Sequence, residues 1–278
     1  MIKSYKRKIS LTIVYILLSI ICVVYFFPFL WMVLTALKPS TQIFIFPPEF
    51  LPKPPEWSNF YMAATAVPFF TYLRNTSFVA GLAMIGVLFS CPLAAYSLAR
   101  IKWKGRGILF AITIGVMMIP THVTMIPLFI IFTRAGLVGT HWPLIIPSFF
   151  GVPFYIFLMR QFFRGLPKSL EDAARIDGAS EFQIYRRIMF PLCQPSLLAI
   201  GLFQVMSSWN DFLAPMIYLN RESMYTLQLG LQQFGRGHET QWAWLMAASA
   251  MVTLPVITLY FFVQKSFIRG ITFGGVKG

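Results

Sequence analysis

Six long apolar stretches dominate this chain of 278 residues, of which 57% are hydrophobic and only 12% are charged. A helix needs about twenty residues to cross the hydrocarbon core of a bilayer, and each stretch is long enough. Because a backbone in lipid must satisfy its own hydrogen bonds, each stretch predicts a membrane-spanning helix. The expected fold class is therefore all-α, a polytopic helical bundle that forms a single transmembrane domain over residues 1–278. The six predicted spans are residues 11–37, 71–99, 107–133, 142–160, 194–219 and 241–264.

The basic residues are unevenly divided between the two sides that six spans create. The side with both termini and the loops after the second and fourth spans holds 17 of the 23 lysines and arginines. Loops rich in Lys and Arg stay in the cytoplasm, so we expect both termini to be cytoplasmic. This topology accounts for the net charge of +14, and no nucleic-acid partner is needed to explain it.

A polar, charge-dense segment with the sequence EDAARIDGASEFQIYRRIMFP follows the fourth predicted span. Ser169 is placed to N-cap a first helix, with Asp172 as the reciprocal acid three positions on. Gly178 stands where a helix ends in a left-handed residue, a conformation that glycine adopts at low cost. Ser180 is placed to cap a second helix together with Gln183. The segment therefore predicts a helix–turn–helix that presents a docking surface to the adjacent water.

The residues that usually carry chemistry are scattered. Cys22, Cys91 and Cys193 lie far apart, so they indicate neither a disulfide framework nor a metal cluster. His238 and Glu239 begin like a zinc-protease motif, but the second histidine is absent. No phosphate-binding GxxxxGK[ST] loop occurs, so an energised process needs a nucleotide-binding site on another polypeptide. We therefore expect no catalytic residues, no metal and no cofactor, and a chain that is not an enzyme.

One acidic residue falls well inside a predicted span. Asp211 ends the sequence SSWND in the fifth span, where an ionised carboxylate costs about 2.5–3.5 kcal/mol on insertion scales. One interpretation is a polar patch that lines a substrate path, with Trp209 and Asn210 beside the carboxylate. The other is a polar contact between helices, or a position nearer the membrane surface than the span suggests. The sequence leaves both interpretations open.

The polar segment resembles the EAA signature of ABC importer permeases, whose consensus is EAA, three residues, G, nine residues and I-x-L-P. Asp172 replaces the usual Glu and Phe190 the usual Leu, and both replacements keep the charge or the hydrophobicity. The stretches MIP, RQFFR, WNDF and the C-terminal GITFGGVKG are similar to the maltose-type, carbohydrate-uptake branch with six spans. The likeness covers nearly the whole chain and is weakest over residues 1–70. The matching signature residues are Asp172, Ala173, Ala174, Gly178, Ile188 and Pro191.

The resemblance implies a function and a set of partners. A coupling loop at 161–191 would dock on an ATP-hydrolysing subunit, and the chain would form half of a sugar path. Two cytoplasmic ATP-binding subunits, a second homologous permease in a heterodimer, and an extracellular or periplasmic sugar-binding protein would complete the importer. The implied location is a bacterial or archaeal inner membrane, with multiple passes. The residues expected to couple to the ATPase are Glu171, Asp172, Ala173, Ala174, Asp177, Gly178, Arg186, Ile188 and Pro191.

Two further expectations concern the opposite side and a competing function. The proline-rich segment 38–70 and the glycine-containing segment 220–240 are expected to meet the sugar-binding protein. The alternative function is an ion-coupled secondary transporter that uses Asp211. Such transporters usually show several intramembrane acids or matched broken helices, whereas this chain has one such acid and no internal repeat that we detect.

Overall fold

The computed structural model describes residues 2–235 and 241–275, with side chains described at 11–235 and 241–264. Within these ranges every regular element is helical, as the predicted all-α class requires. Short 3-10 turns lie at Ser40–Gln42, Ile146–Phe150, Glu222–Met224 and Gln232–Gly235, and a π-helical turn lies at Tyr185–Met189. The α-helices are α1 Ile2–Ala36, α2 Ser58–Ala66, α3 Phe69–Ala99, α4 Arg106–Val116, α5 Thr121–Arg134, α6 Trp142–Ile145, α7 Pro153–Gly165, α8 Ser169–Ile176, α9 Glu181–Ile184, α10 Phe190–Leu192, α11 Gln194–Asn210, α12 Leu213–Tyr218, α13 Leu227–Leu231 and α14 Trp242–Gly275.

Among the described residues, four helical segments are long and apolar enough to cross a membrane, and the number rises to six if each of two bent helix pairs is one span. Six spans therefore stay a prediction that this structure accommodates. The two bent pairs are α4 with α5 and Glu181–Leu192 with α11. The four single segments are Leu11–Ala36, Phe69–Ala99, Trp142–Gly165 and Trp242–Gln264.

The predicted span over 107–133 is divided into two helices. The chain bends by 100° between α4 and α5. A proline ring clashes with the carbonyl four residues earlier, and Pro120 stands four residues after Val116, the last residue of α4. Pro120 also lacks an N–H group, and it becomes the residue that precedes α5.

The predicted span over 194–219 is also divided, for a related reason. Helix α11 ends at Asn210, and α12 begins at Leu213. Pro215 stands four residues after Asp211, where its ring opposes a helical carbonyl. Asp211 instead accepts a hydrogen bond at Oδ1 from the backbone N–H of Ala214 at 3.2 Å, so its side chain caps the next helix.

Contacts within the chain group it into two compact units, Met1–Phe69 with Leu231–Pro255, and Phe70–Gly230 with Val256–Gly278. The single domain expected over 1–278 stays a prediction. In the first unit, buried Asn59 donates its amide protons to the carbonyls of Ala36 at 2.9 Å and Lys38 at 3.1 Å. These bonds hold the segment after α1 against α2.

The second unit is built around an apolar core that joins α3, α7 and α11 to the polar segment of the sequence. This packing places α8 and α9 directly against the ends of the long helices. The most buried members of the core include Val87, Cys91, Ala95, Met159, Phe163, Ile184, Met189, Cys193 and Ile200.

Candidate functional site

Helices α8 and α9 form the predicted pair joined at a glycine. Gly178 has φ of +80°, in the left-handed region, as the sequence predicted. The predicted cap of the second helix is also confirmed. The Ser180 hydroxyl accepts from the backbone N–H of Gln183 at 3.3 Å, and the Gln183 side-chain oxygen accepts from the backbone N–H of Ser180 at 2.8 Å. Local sequence therefore determines this turn.

The predicted cap of the first helix is wrong. Lys168 precedes α8 with helical backbone angles, and its carbonyl accepts from the N–H groups of Glu171 at 3.0 Å and Asp172 at 3.1 Å. Ser169 is thus the first residue inside the helix, where it makes no side-chain cap. An N-cap residue needs non-helical angles, and the helical geometry starts one residue earlier than the sequence pattern suggested.

The two faces of α8 separate neighbouring signature residues. Glu171 and Ala174, three positions apart, are buried, and Ala174 packs on the core of the second unit. Asp172 and Ala173 are exposed, and Ile176 is 87% exposed. One face of the helix therefore holds it to the protein, while the other faces outward.

A buried ion pair anchors the inner face. Arg100 follows the last residue of α3, and its Nε lies 3.4 Å from Oε1 of Glu171, with each side chain 4% exposed. The Nη2 group of Arg100 donates to the carbonyls of Phe163 and Leu166 at the end of α7. One arginine thus connects α3, α7 and α8. From the sequence, Arg100 contributes only to the predicted orientation of the chain, because no neighbouring residue indicates its partner.

Burial also changes the electrostatics of Glu171. Desolvation raises the pKa of this carboxyl, and the positive charges of Arg100 and Arg175 oppose the rise. The 3.4 Å approach to Arg100 is an ion pair without a well-formed hydrogen bond. Glu171 was predicted among the residues that couple to an ATPase, and its burial means that any such effect acts through its neighbours.

Arg175 connects the two helices across the Gly178 turn. Its Nε donates to Oε1 of Glu181 at 2.8 Å, and Nη1 lies 3.1 Å from Oδ1 of Asp172. The hydrogen bond to Glu181 is the main cause of a raised pKa for Arg175. The helix pair is therefore fixed by charge on its outer side as well as by packing on its inner side.

The second helix continues into the core through aromatic side chains. The Tyr96 hydroxyl donates to Oε2 of Glu181 at 3.1 Å, and its ring lies 5.2 Å from Tyr185 and 5.6 Å from Phe163, centroid to centroid. Tyr96 belongs to α3, so α3 contacts α9, while Arg100, directly after α3, contacts α8. Of the remaining predicted residues, Ile188 is half-buried, and Asp177, Gly178, Arg186 and Pro191 are exposed.

Two apolar side chains near the turn were missed by sequence analysis. Ile176 and Phe182, 87% and 62% exposed, flank Gly178 on an otherwise polar segment. A Cβ atom at Gly178 has nothing within 4 Å, so the glycine leaves open space at the tip of the turn. An apolar residue on each side of a capped turn was the signal available in the sequence. The arrangement suits docking into a cleft of a partner.

The second group of predicted residues lies at the break after α11. Trp209 is buried, and the exposed Asn210 donates to the carbonyl of Met206 at 2.9 Å. Asp211 is half-buried and caps α12 through Ala214. The three residues are adjacent at one helix end, but the carboxylate has a structural partner that the sequence did not predict.

Comparison with known proteins decides the family. Residues 86–273 match the binding-protein-dependent transport system inner membrane component family. The chain belongs to this family. It is 36% identical to the arabinooligosaccharides transport system permease protein AraQ of Halalkalibacterium halodurans, over 98% of this chain and all of the relative. It is 30% identical to the diacetylchitobiose uptake system permease protein DasC of Streptomyces coelicolor, over 91% of this chain and 92% of the relative.

A solved structure supports the same assignment. A chain from a bacterial ABC transporter that imports the acidic polysaccharide alginate superposes with a TM-score of 0.81 and 26% identity, over 94% of this chain and 97% of that one. The protein is thus a membrane permease subunit of an ABC importer, which works with an ATPase and a substrate-binding protein. Its family consists of permease subunits and not of enzymes. This membership supports the importer interpretation over ion-coupled transport through Asp211.

Proposed function

We propose that this permease carries a sugar or glycoside and forms half of the path with a second, homologous permease. Relatives named for arabinooligosaccharides, for diacetylchitobiose and for sulfoquinovosyl glycerol align over at least 91% of the chain. Their cargoes differ in size and charge but share a glycosidic unit. The proposal therefore extends to the sugar class and to no individual sugar.

The α8–Gly178–α9 pair is the proposed docking element for the ATPase. The single observation that carries this assignment is its two-sided construction: Glu171 and Ala174 face the core, while Ile176 and Phe182 are exposed around an open glycine turn. Large apolar side chains exposed beside water mark interaction surfaces when they cluster. Asp172, Asp177 and Arg186 supply charge around them.

The same element is the proposed route for motion. A subunit that pushes on α8 also moves its buried carboxylate, and Arg100 connects that carboxylate to the ends of α3 and α7. Tyr96 supplies a second connection from α3 to α9. Because each link joins packed helices and not a free loop, closure of the ATPase pair displaces the long helices with it.

The proposed importer contains two ATP-binding subunits in the cytoplasm. The proposed topology places both termini of the permease and its coupling loop 161–191 on the same side. The 17 of 23 basic residues on that side support the orientation. Segments 38–70 and 220–240 then lie outside, where we propose that they meet the binding protein; residues 236–240 lie outside the described part of the chain.

The base of the second external segment is tied to α3. The Asn75 side-chain amide donates to the carbonyls of Ser223 at 2.9 Å and Tyr225 at 3.0 Å, and Thr76 accepts from the backbone N–H of Leu227 at 2.8 Å. A Cβ atom at Gly230 overlaps the Tyr72 ring, so glycine permits this close approach. A segment held this firmly can transmit contact with a partner to the membrane helices.

Trp209, Asn210 and Asp211 are the proposed path residues. Non-helical backbone at membrane depth is tolerated where it is buried in protein or lines a water-filled cavity, which supports the proposal that the break at Asp211 lines the path. Asn210 is the exposed member and offers an amide to sugar hydroxyls.

The function is tested by purifying the permease with its neighbouring subunits and measuring sugar-stimulated ATP hydrolysis and uptake in proteoliposomes. We expect one or a few related sugars to stimulate both, only with the binding protein present. Uptake driven by an ion gradient without ATP, or ATP hydrolysis unresponsive to every sugar in a panel of neutral and acidic oligosaccharides, contradicts the proposal.

A further inference from the structure

We propose a second, extracytoplasmic sugar-binding site in a cavity of the first compact unit, an inference that rests on the proposed sugar-import function. The cavity has a volume of about 710 Å³. Ligand pockets for small molecules usually measure about 300–1,000 Å³, so a disaccharide-sized ligand fits. The lining comes from the segment after α1, the start of α2 and the start of α14.

The position of the cavity suits a ligand that arrives from water. Candidate spans end at Ala36 in α1 and begin at Trp242 in α14, and the lining residues lie just beyond or at those ends. The cavity therefore opens at the membrane–water boundary. By the proposed topology this is the outer boundary, where segment 38–70 emerges.

Aromatic side chains give the cavity its first sugar-binding feature. Phe44 and Trp242 meet edge to face with centroids 5.8 Å apart, and Trp244 joins them in the lining. The face of an aromatic ring carries partial negative charge, while the C–H groups on one face of a pyranose carry partial positive charge. Trp242 is 40% exposed, so part of its indole is accessible to a ligand.

Polar groups that match sugar hydroxyls surround these rings. Glu56 and Gln241 offer a carboxylate and an amide, and no salt bridge involves Glu56 among the described residues. Asn59 is 5% exposed and gives both amide protons to backbone carbonyls, which leaves its oxygen as the acceptor for a ligand. Carboxylates and amides can each bond two hydroxyls of one sugar ring.

The walls of the cavity are fixed before any ligand binds. Buried Lys38 donates from Nζ to the carbonyl of Glu49 at 2.6 Å and lies 4.6 Å above the Trp31 ring. The backbone N–H of Glu56 donates to the carbonyl of Leu37 at 2.8 Å. A preformed site loses less conformational entropy on binding, so weak contacts suffice for a measurable affinity.

The charge of the lining selects the class of sugar. Glu56 is the one charged residue among the described lining residues, and none of them is Lys or Arg. A carboxylate accepts hydroxyl protons from a neutral sugar but repels a uronate or sulfonate. The site is therefore assigned to neutral oligosaccharides or glycosides.

The test is photoaffinity labelling of the purified importer complex, without binding protein, by diazirine derivatives of arabinotriose, maltotriose and chitobiose. Labelled peptides are mapped by mass spectrometry. We expect labelling in the peptides that contain Phe44 to Glu56 and Gln241 to Trp244. An unlabelled neutral trisaccharide should suppress it, and a trimannuronate of the same length should not.

Variants give the site its controls. Trp244→Ala should weaken labelling about three- to tenfold, the loss expected for one aromatic contact. Glu56→Gln should let trimannuronate compete. Trp57→Ala is the matched control, because Trp57 is 70% exposed, stacks on Phe60 and is absent from the cavity lining. Equal losses of labelling in the Trp57→Ala and Trp244→Ala variants overturn the proposal.

Two measurements separate this site from the importer function itself. Sugar-stimulated ATP hydrolysis is measured on the same preparations after adding the binding protein. Stimulation by a neutral sugar that labels neither peptide overturns the cavity site and leaves the import function intact. Failure of all three probes to label either peptide also overturns the site.

Discussion

Arg100 and Glu171 lie 3.4 Å apart, Nε to Oε1, with only 4% of each side chain exposed, whereas the next residue, Asp172, is exposed on the opposite face of α8. Two adjacent acids thus have different surroundings. One is joined to the ends of long helices, and the other is available to a partner. This difference makes the two positions a matched pair for mutation.

Arg100→Met should destabilise the permease, because it leaves the buried Glu171 carboxylate without its counter-charge and the carbonyls of Phe163 and Leu166 without their donor. Loss of one member of a buried pair costs about 3–5 kcal/mol, and the long contact here favours the lower end. Asp172→Asn should change stability by less than about 0.5 kcal/mol, as surface substitutions do. Thermal unfolding of both variants in detergent measures the difference, and equal Tm values contradict the assigned role of the pair.

Variants of the two acids should differ in coupling. At matched amounts of assembled complex, Glu171→Gln should hydrolyse ATP while moving fewer sugar molecules per ATP than wild type, because motion of α8 no longer carries Arg100. Asp172→Asn should instead reduce the amount of ATPase that co-purifies. Unchanged sugar-to-ATP ratios in Glu171→Gln contradict transmission through this pair.

Stability should depend on pH through Glu171. Burial raises the pKa of this carboxyl above its usual 4.5, so the folded protein takes up the proton more readily than the unfolded chain. The stability that this proton uptake adds to the folded protein is fully present below the pKa of Glu171 in the unfolded chain, and it is lost as the pH rises through the pKa of Glu171 in the folded protein. The Tm of wild type minus that of Glu171→Gln, which does not titrate, should therefore fall with rising pH over this window and then level off. A difference that rises with pH contradicts the raised pKa.

Gly178→Asp should leave the protein inserted but abolish transport or release the ATPase. Its φ of +80° suits glycine, and the open space at its Cβ position is where we expect the partner to approach. Gly178→Asn is the control, because Asn tolerates the left-handed conformation at similar size without the charge. Membrane insertion, co-purified ATPase and uptake are measured together. Normal uptake by Gly178→Asp at wild-type expression removes the turn from the coupling mechanism.

The topology is tested with single cysteines and a membrane-impermeant thiol reagent on intact cells. Ser180→Cys should be protected and Gln232→Cys should be labelled, in a background with Cys22, which is exposed, replaced by serine. Gln232 is exposed, whereas a side chain at Gly230 meets Tyr72 and makes that position unsuitable. Labelling at position 180 and protection at position 232 would contradict the proposed orientation.

Two substitutions at Asp211 distinguish a structural role of this residue from a role in transport. Asp211→Asn keeps an oxygen that can accept from the Ala214 N–H, so complex yield should remain close to wild type while the uptake rate or sugar preference changes. Asp211→Leu removes the cap, at a cost of about 0.5–2 kcal/mol, and should lower yield as well. If both variants lose uptake only in proportion to yield, Asp211 acts as a helix cap and not as a path residue.

Several elements follow from local sequence. The Ser180–Gln183 capping box and the left-handed Gly178 depend on residues within one turn of each other, so the pattern alone predicts them. Proline positions predict helix breaks less reliably. Pro120 stands four residues after the last residue of α4 and Pro215 five residues after the last residue of α11, yet Pro92 lies inside the unbroken α3. The sequence shows where a helix can break, and packing determines whether it does.

The sequence by itself determined that this is a helical membrane protein, through its apolar stretches, and that it carries an exposed pair of short helices, through the capping residues of the polar segment. Lipid and water act on each stretch separately, so no distant residue is needed for that conclusion. Only the tertiary structure decided that Glu171 faces inward to Arg100 and that Trp242 and Glu56 line one cavity. Each of these depends on which side chains chain folding brings together. Burial and charge pairing act through space, and sequence spacing does not record them.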